Sequence, residues 1–325
     1  MNPLYPWLQP QYQQIVQAFQ QGHGHHSLLF KADSGLGIEQ LINVAAQRIL
    51  CRQADSEQPC GHCHACQLFV AQNHPDFYLL APVENKDIGI DQVREINEKV
   101  SQHAQQNGNK VVYLQGAERL TEAAANALLK TLEEPRPNTY FLLQADLSAP
   151  LLATIYSRCQ AWIFNAPKAD VSLNWLQSQY QGDIADISIA LQICHYRPLS
   201  ALDCLQQDLL SKRKTLMAQF WRFYTRSDIL QILPHFETEI LFQQLDWLSG
   251  FLSDTVKAKL NIQSGWICQD FATAVQQFAE RQSILTLLNH CNIIQKVRSD
   301  LRSINAVNQE LILMDGLSRM LVEKG

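Results

Sequence analysis

Four of the nine cysteines in this chain of 325 residues fall between positions 51 and 66. Cys51, Cys60, Cys63 and Cys66 have a C-x8-C-x2-C-x2-C spacing, and Gly61 supplies the tight turn that can bring neighbouring thiolates together. Four thiolates suit a tetrahedral Zn²⁺ with no open coordination position, so a metal held this way is structural and not catalytic. An iron–sulfur cluster is the competing metal reading, and four unrelated free thiols are the reading without metal. His62, His64 and His74 are nearby alternative ligands, each otherwise a surface or helix-cap residue.

A second group has the position of a phosphate site but not its chemistry. Ala32-Asp33-Ser34-Gly35-Leu36-Gly37-Ile38-Glu39 follows an apolar run and opens a helical pattern. A working phosphate loop reads G-x-x-x-x-G-K-[ST], because lysine neutralises the phosphates and the hydroxyl holds Mg²⁺. Here Ile38 stands in the lysine position and Glu39, which would repel a triphosphate, in the hydroxyl position. The companion acidic pair is missing as well, since Val111-Val112-Tyr113-Leu114 runs into Gln115-Gly116-Ala117. The residues read as an emptied nucleotide loop or as an ordinary glycine turn.

The elements around these groups alternate. Ser27 to Lys31, Phe77 to Leu80, Lys110 to Leu114, Tyr140 to Leu143 and Ala161 to Phe164 are predicted strands, separated by helical patterns, the signature of an α/β domain with a mainly parallel sheet. Asp91 is placed to cap a helix whose Val93, Ile96 and Val100 share a face, and Thr121 to cap another that stops before Pro135. Beyond Ala166 to Lys168 strand alternation disappears, and helical patterns run over Ser211 to Tyr224, Thr238 to Leu260 and Phe271 to Leu288. The expected organisation is an α/β domain over 1–166 with the cysteine insertion at 51–66, a small helical domain over 167–207 and a helical domain over 208–325.

Composition narrows the classes further. With 46% hydrophobic and 18% charged residues the chain can bury a core. A net charge of −5 argues against a free-standing nucleic-acid binder. No apolar run reaches the ~18 residues of a bilayer span, and Met1 to Leu8 has neither a basic region nor an apolar signal core, so the expectation is a cytoplasmic chain with no membrane partner.

Several stretches resemble the delta prime subunit family of bacterial DNA polymerase III, a branch of the clamp-loader AAA+ proteins. They are Tyr5-Pro6-Trp7-Leu8, Gly24-His25-His26-Ser27-Leu28-Leu29, the cysteine cluster, His74-Pro75-Asp76, the run from Ala125 to Pro135 (ANALLKTLEEP) and Ser157-Arg158-Cys159. Downstream the resemblance is thinner, resting on helical character and on Ile304-Asn305-Ala306-Val307-Asn308-Gln309-Glu310-Leu311. It implies an AAA+ domain with a RecA-like parallel sheet and zinc knuckle, a helical lid and a C-terminal collar. It implies a stator that binds no ATP, has no ATPase or polymerase activity of its own and works within a DNA-directed DNA polymerase holoenzyme. Its partners would be the ATPase and delta subunits of a pentameric ring, with the sliding clamp and primer-template DNA met through the assembly. Ser157-Arg158-Cys159 matches the family's arginine-finger motif, which assigns Arg158 to a neighbour's ATP. From spacing alone Arg158 reads first as a surface salt-bridge residue, and the resemblance reverses that preference.

Other readings stay open beside the resemblance. An active ATPase with an atypical site is opposed by Ile38 and Gln115, and a zinc-knuckle nucleic-acid binder by the net charge. In the helix before Pro135, Leu128, Leu129 and Leu132 form a core face, while Asn126, Lys130 and Glu133 form a polar row that is solvated, transmits nucleotide state or contacts DNA phosphates. Lys212, Arg213 and Lys214, followed by Phe220, Trp221 and Phe223, superficially resemble a nucleic-acid stripe, yet aromatics at this spacing are the packed face of a bundle helix.

Overall fold

The computed structural model describes residues 4–53, 57–83, 86–303 and 309–322. Two compact units meet in the chain at Pro167 and Lys168. The first contains α1 (Gln9–Gln20), β1 (Ser27–Ala32), α2 (Ile38–Leu50), α3 (His64–Val70), β2 (Phe77–Leu80), α4 (Ile90–Ser101), β3 (Lys110–Gln115), α5 (Glu122–Glu133), β4 (Thr139–Ala145), α6 (Ala153–Tyr156) and β5 (Gln160–Phe164). The strands pair in the order β2-β3-β4-β1-β5, all parallel.

Each expected strand lies within an observed one, and the sheet explains why they read as continuous apolar runs. Parallel strands need helical crossovers, which bury both faces. Leu29, Val112, Leu114, Phe141 and Leu143 pack with Val93, Ile96 and Val100 of α4 and Leu128 and Leu132 of α5. Their neighbours Leu28, Phe30, Val111 and Leu142 are buried too, and so are Leu41, Ile42 and Ala45 of α2. Leu129 is only partly buried, at the edge of the first cluster.

Caps follow the expected chemistry at one helix and not at another. Thr121 Oγ1 accepts from the Ala124 N–H at 3.2 Å and so starts α5. At α4 the cap is Gly89, not Asp91: the Gly89 N–H donates to Gln92 Oε1 at 3.0 Å, the backward half of a capping box. Asp91 sits inside the first turn, where its charge still suits the helix dipole.

The second unit contains α7 (Ala169–Gln179), α8 (Ile184–Ile193), α9 (Pro198–Gln206), α10 (Leu209–Arg226), α11 (Leu241–Lys259), α12 (Ala272–Arg281), α13 (Ile284–Ser303) and α14 (Gln309–Val322), and no strand among the described residues. The pattern from Phe271 to Leu288 is two helices. Gln282 is extended, and Ser283 Oγ accepts from the Thr286 N–H at 3.1 Å, a new N-cap that restarts the chain as α13. Ile304 to Asn308 lie outside the described residues, and Gln309 to Leu311 open α14. No described helix is long and apolar enough to cross a membrane.

The basic, aromatic start of α10 is a packing face. Phe220 and Phe223 are in the core, and Lys212 pairs with Glu237 at 2.6 Å. Arg213 is 1% exposed; it holds both carboxylate oxygens of Asp270 at 2.5 and 3.3 Å and lies over the Phe271 ring. Removing one partner of such a buried pair strands the other charge and costs roughly 3–5 kcal/mol, with the low end expected here because Asp270 lies nearer solvent. Arg213→Met should therefore lower unfolding free energy by about 3 kcal/mol in a denaturant titration, whereas Lys214→Met should leave it within about 0.5 kcal/mol.

Candidate functional site

The cysteine cluster is built where α2 ends and α3 begins. Cys51 follows the last residue of α2 in an extended conformation, Gly61 turns the chain at φ +75°, and Cys63 caps α3, which places Cys66 in its first turn. All four Sγ atoms lie within 4.8 Å of one another, with Cys51–Cys63 and Cys60–Cys66 each at 3.9 Å. A tetrahedron with Zn–S bonds of about 2.3 Å has S···S edges of roughly 3.8 Å. Two edges already match, and the rest lie within about 1 Å of that value, so the donors are placed for a tetrahedral, thiolate-seeking ion after small shifts.

Electrostatics point the same way. Burial raises the cost of charging Cys63, but N–H groups and neighbouring thiols donate to it and bring its pKa down to about 6. Cys66 moves up, through burial and the neighbouring thiols. One thiolate is stabilised while Cys66 resists a second charge, a condition that a divalent cation relieves. No histidine joins this group among the described residues. His62 and His64 are exposed. His74 is buried, not a surface or cap residue, and its Nδ1 accepts from the Asp76 N–H at 3.1 Å. Asp76, with no exposure, accepts from the N–H groups of Gln105 and Gln106 at 2.7 and 2.8 Å and so anchors the turn after α4.

The glycine loop connects β1 to α2, and Gly35 and Gly37 carry φ values of +85° and +74°. Leu36 and Ile38 point into the core, exposed by 1% and 2%. Trp7 Nε1 donates to the Leu36 carbonyl at 2.8 Å. Glu39 accepts from Gln144 Nε2 of β4 at 2.6 Å, and Gln144 Oε1 accepts from the Tyr113 hydroxyl of β3. Burial, and secondarily the Glu39 charge, push the Tyr113 hydroxyl pKa up, which keeps it a donor. The position that would serve Mg²⁺ is thus tied into a side-chain chain across α2, β4 and β3. Spacing revealed Ile38 and Glu39 but not Gln144 or Tyr113, which meet Glu39 only through sheet order.

Arg158 lies between α6 and β5, at the edge of the sheet where strands begin. Its guanidinium pairs with Glu133 of α5, and Nη1 donates to the Thr154 carbonyl at 2.8 Å and the Ser157 hydroxyl at 3.3 Å. Asn126, Lys130 and Glu133 are all exposed, so that polar row faces outward.

With this geometry in hand, relatives decide the family. A profile described as "DNA polymerase III, delta subunit" matches residues 7–168, and one described as "DNA polymerase III, delta subunit, C terminal" matches 207–321. DNA polymerase III subunit delta' of Haemophilus influenzae is 56% identical over 99% of this chain and 98% of its own length. The chain belongs to the delta' subunit family of DNA polymerase III. The delta' subunits of Yersinia pestis and Escherichia coli K12 are 40% and 35% identical, over 96% and 97% of this chain and 94% and 95% of their own.

For this delta' family member the cysteine geometry sets a direct test. Cobalt added to chelator-treated protein should bind at one ion per chain with intense thiolate-to-metal absorption. Cys60→Ser should abolish that spectrum and lower the melting temperature of the metal-loaded protein, since structural sites contribute apparent binding energies of roughly 10–16 kcal/mol.

Proposed function

We propose that the chain is a stator of the clamp loader: it holds one structural Zn²⁺ on Cys51, Cys60, Cys63 and Cys66, binds no ATP, and supplies Arg158 to ATP held by an adjacent ATPase subunit. Its body would be an AAA+ domain over 1–166, a lid over 167–207 and a collar over 208–325, working in the cytoplasm. The collar would join the ATPase and delta subunits of a pentamer, and the sliding clamp and primer-template DNA would be met through the assembly.

The observation that carries this reading is the state of the glycine loop. The residue in the lysine position is in the hydrophobic core, and the one in the hydroxyl position is a carboxylate engaged by Gln144. Neither can neutralise phosphate. Arg158 supports the other half, because a guanidinium stays charged and offers fixed donors suited to charge that spreads over a transferring phosphoryl group. The start of the second family match at residue 207 supports a separate C-terminal module.

Two outcomes are expected. Calorimetry of the isolated chain should show no ATP binding in the micromolar range, and Ile38→Lys alone should not create it, because Glu39 stays in place. In a reconstituted loader, Arg158→Ala should leave folding, metal content and assembly unchanged while lowering clamp-stimulated hydrolysis and clamp loading. A finger of this kind is worth roughly 10³–10⁵ in rate at its own site, so total hydrolysis falls by the share of that interface. Equal hydrolysis and equal loading would reduce Arg158 to a surface residue.

A further inference from the structure

Glu133 and Glu134 end α5, where the helix dipole disfavours negative charge. Helix energetics give no reason for an acid there, but tertiary structure does, because Glu133 meets the Arg158 guanidinium from 25 residues further along the chain. Arginine has five N–H donors. The Thr154 carbonyl, the Ser157 hydroxyl and the Glu133 carboxylate engage three of them, and Nε is buried. One donor on Nη2 is left. In this pose the side chain cannot fork a phosphate, which takes two parallel N–H groups.

We propose that Glu133 is a positioning residue for Arg158: it holds the guanidinium folded on its own subunit, so that delivery to a neighbour's phosphate exchanges one carboxylate for phosphate oxygens. The proposal rests on the reading of Arg158 given above. The pair is suited to exchange, since Glu133 is half exposed and ion pairs in such settings are weak. A weak restraint is readily displaced by the greater charge of a triphosphate and re-forms when that charge is gone.

The test is a double-mutant cycle in the reconstituted loader, comparing wild type with Glu133→Gln, Arg158→Ala and the double variant. Glutamine keeps the shape and loses the charge. The hydrolysis that Arg158→Ala removes is the share that Glu133→Gln should enlarge, by up to about five-fold, the factor at the upper end for an exposed ion pair. The double variant should equal Arg158→Ala alone, Glu133→Asp should restore wild-type behaviour, and the gain should shrink as salt is raised. Melting temperature and metal content should match wild type throughout, separating restraint from damage to α5. Unchanged or lower hydrolysis in Glu133→Gln, or an effect that persists without Arg158, would overturn the restraint and leave the role of Arg158 standing. Wild-type hydrolysis in Arg158→Ala would instead remove the reading on which the restraint depends.

Discussion

Parallel pairing of β1 with both β4 and β5 is the constraint from which the first unit's chemistry follows. Strands that all run one way gather their ends at one edge of the sheet and their beginnings at the other, and each connection must cross back as a helix or long loop. The loop after β1 and the end of β3 therefore share the edge where α/β proteins place ligands. Glu133, just before β4, and Arg158, just before β5, share the opposite edge. The glycine loop and the Glu133–Arg158 pair therefore lie at opposite edges of one sheet.

At the first of those edges the glycine loop is filled by side chains of this chain. Ile38 adds to the core over the sheet, and Glu39 is engaged by Gln144, which in turn accepts from Tyr113. Taking a carboxylate partly out of water is costly without partners, and Gln144 supplies one to Glu39 while Tyr113 holds Gln144 in place. The turn from β1 into α2 needs the αL glycines Gly35 and Gly37, whatever the loop binds.

The cysteine cluster follows a different logic. Its thiols come from a helix end, a loop and a helix start, and none of these is held by the sheet ladder. Its four thiols lie within 4.8 Å of one another, an arrangement compatible with a bound cation, whereas the sheet rests on its own hydrogen bonds and burial. The cysteine cluster and the hydrophobic burial in the sheet are thus separate features of one domain.

Much of this was legible in the residues themselves. The five strands, the Thr121 cap, the cysteine spacing and the lost lysine and hydroxyl are local features, readable because periodicity, capping and ligand spacing act over a few residues. The α4 cap was misread because Asp91 is a good cap by type, while the Gly89 backbone and the reach of Gln92 decide the start. The break at Gln282 was hidden because apolar periodicity continues through it. What only tertiary structure decided are the long-range meetings: Glu39 with Gln144 across 105 residues, Arg213 with Asp270 across 57, and Glu133 with Arg158 across 25. In each, sequence supplies two ordinary polar residues, and sheet order or helix packing brings them within bonding distance, because an ion pair or hydrogen bond depends on separation in space and not along the chain.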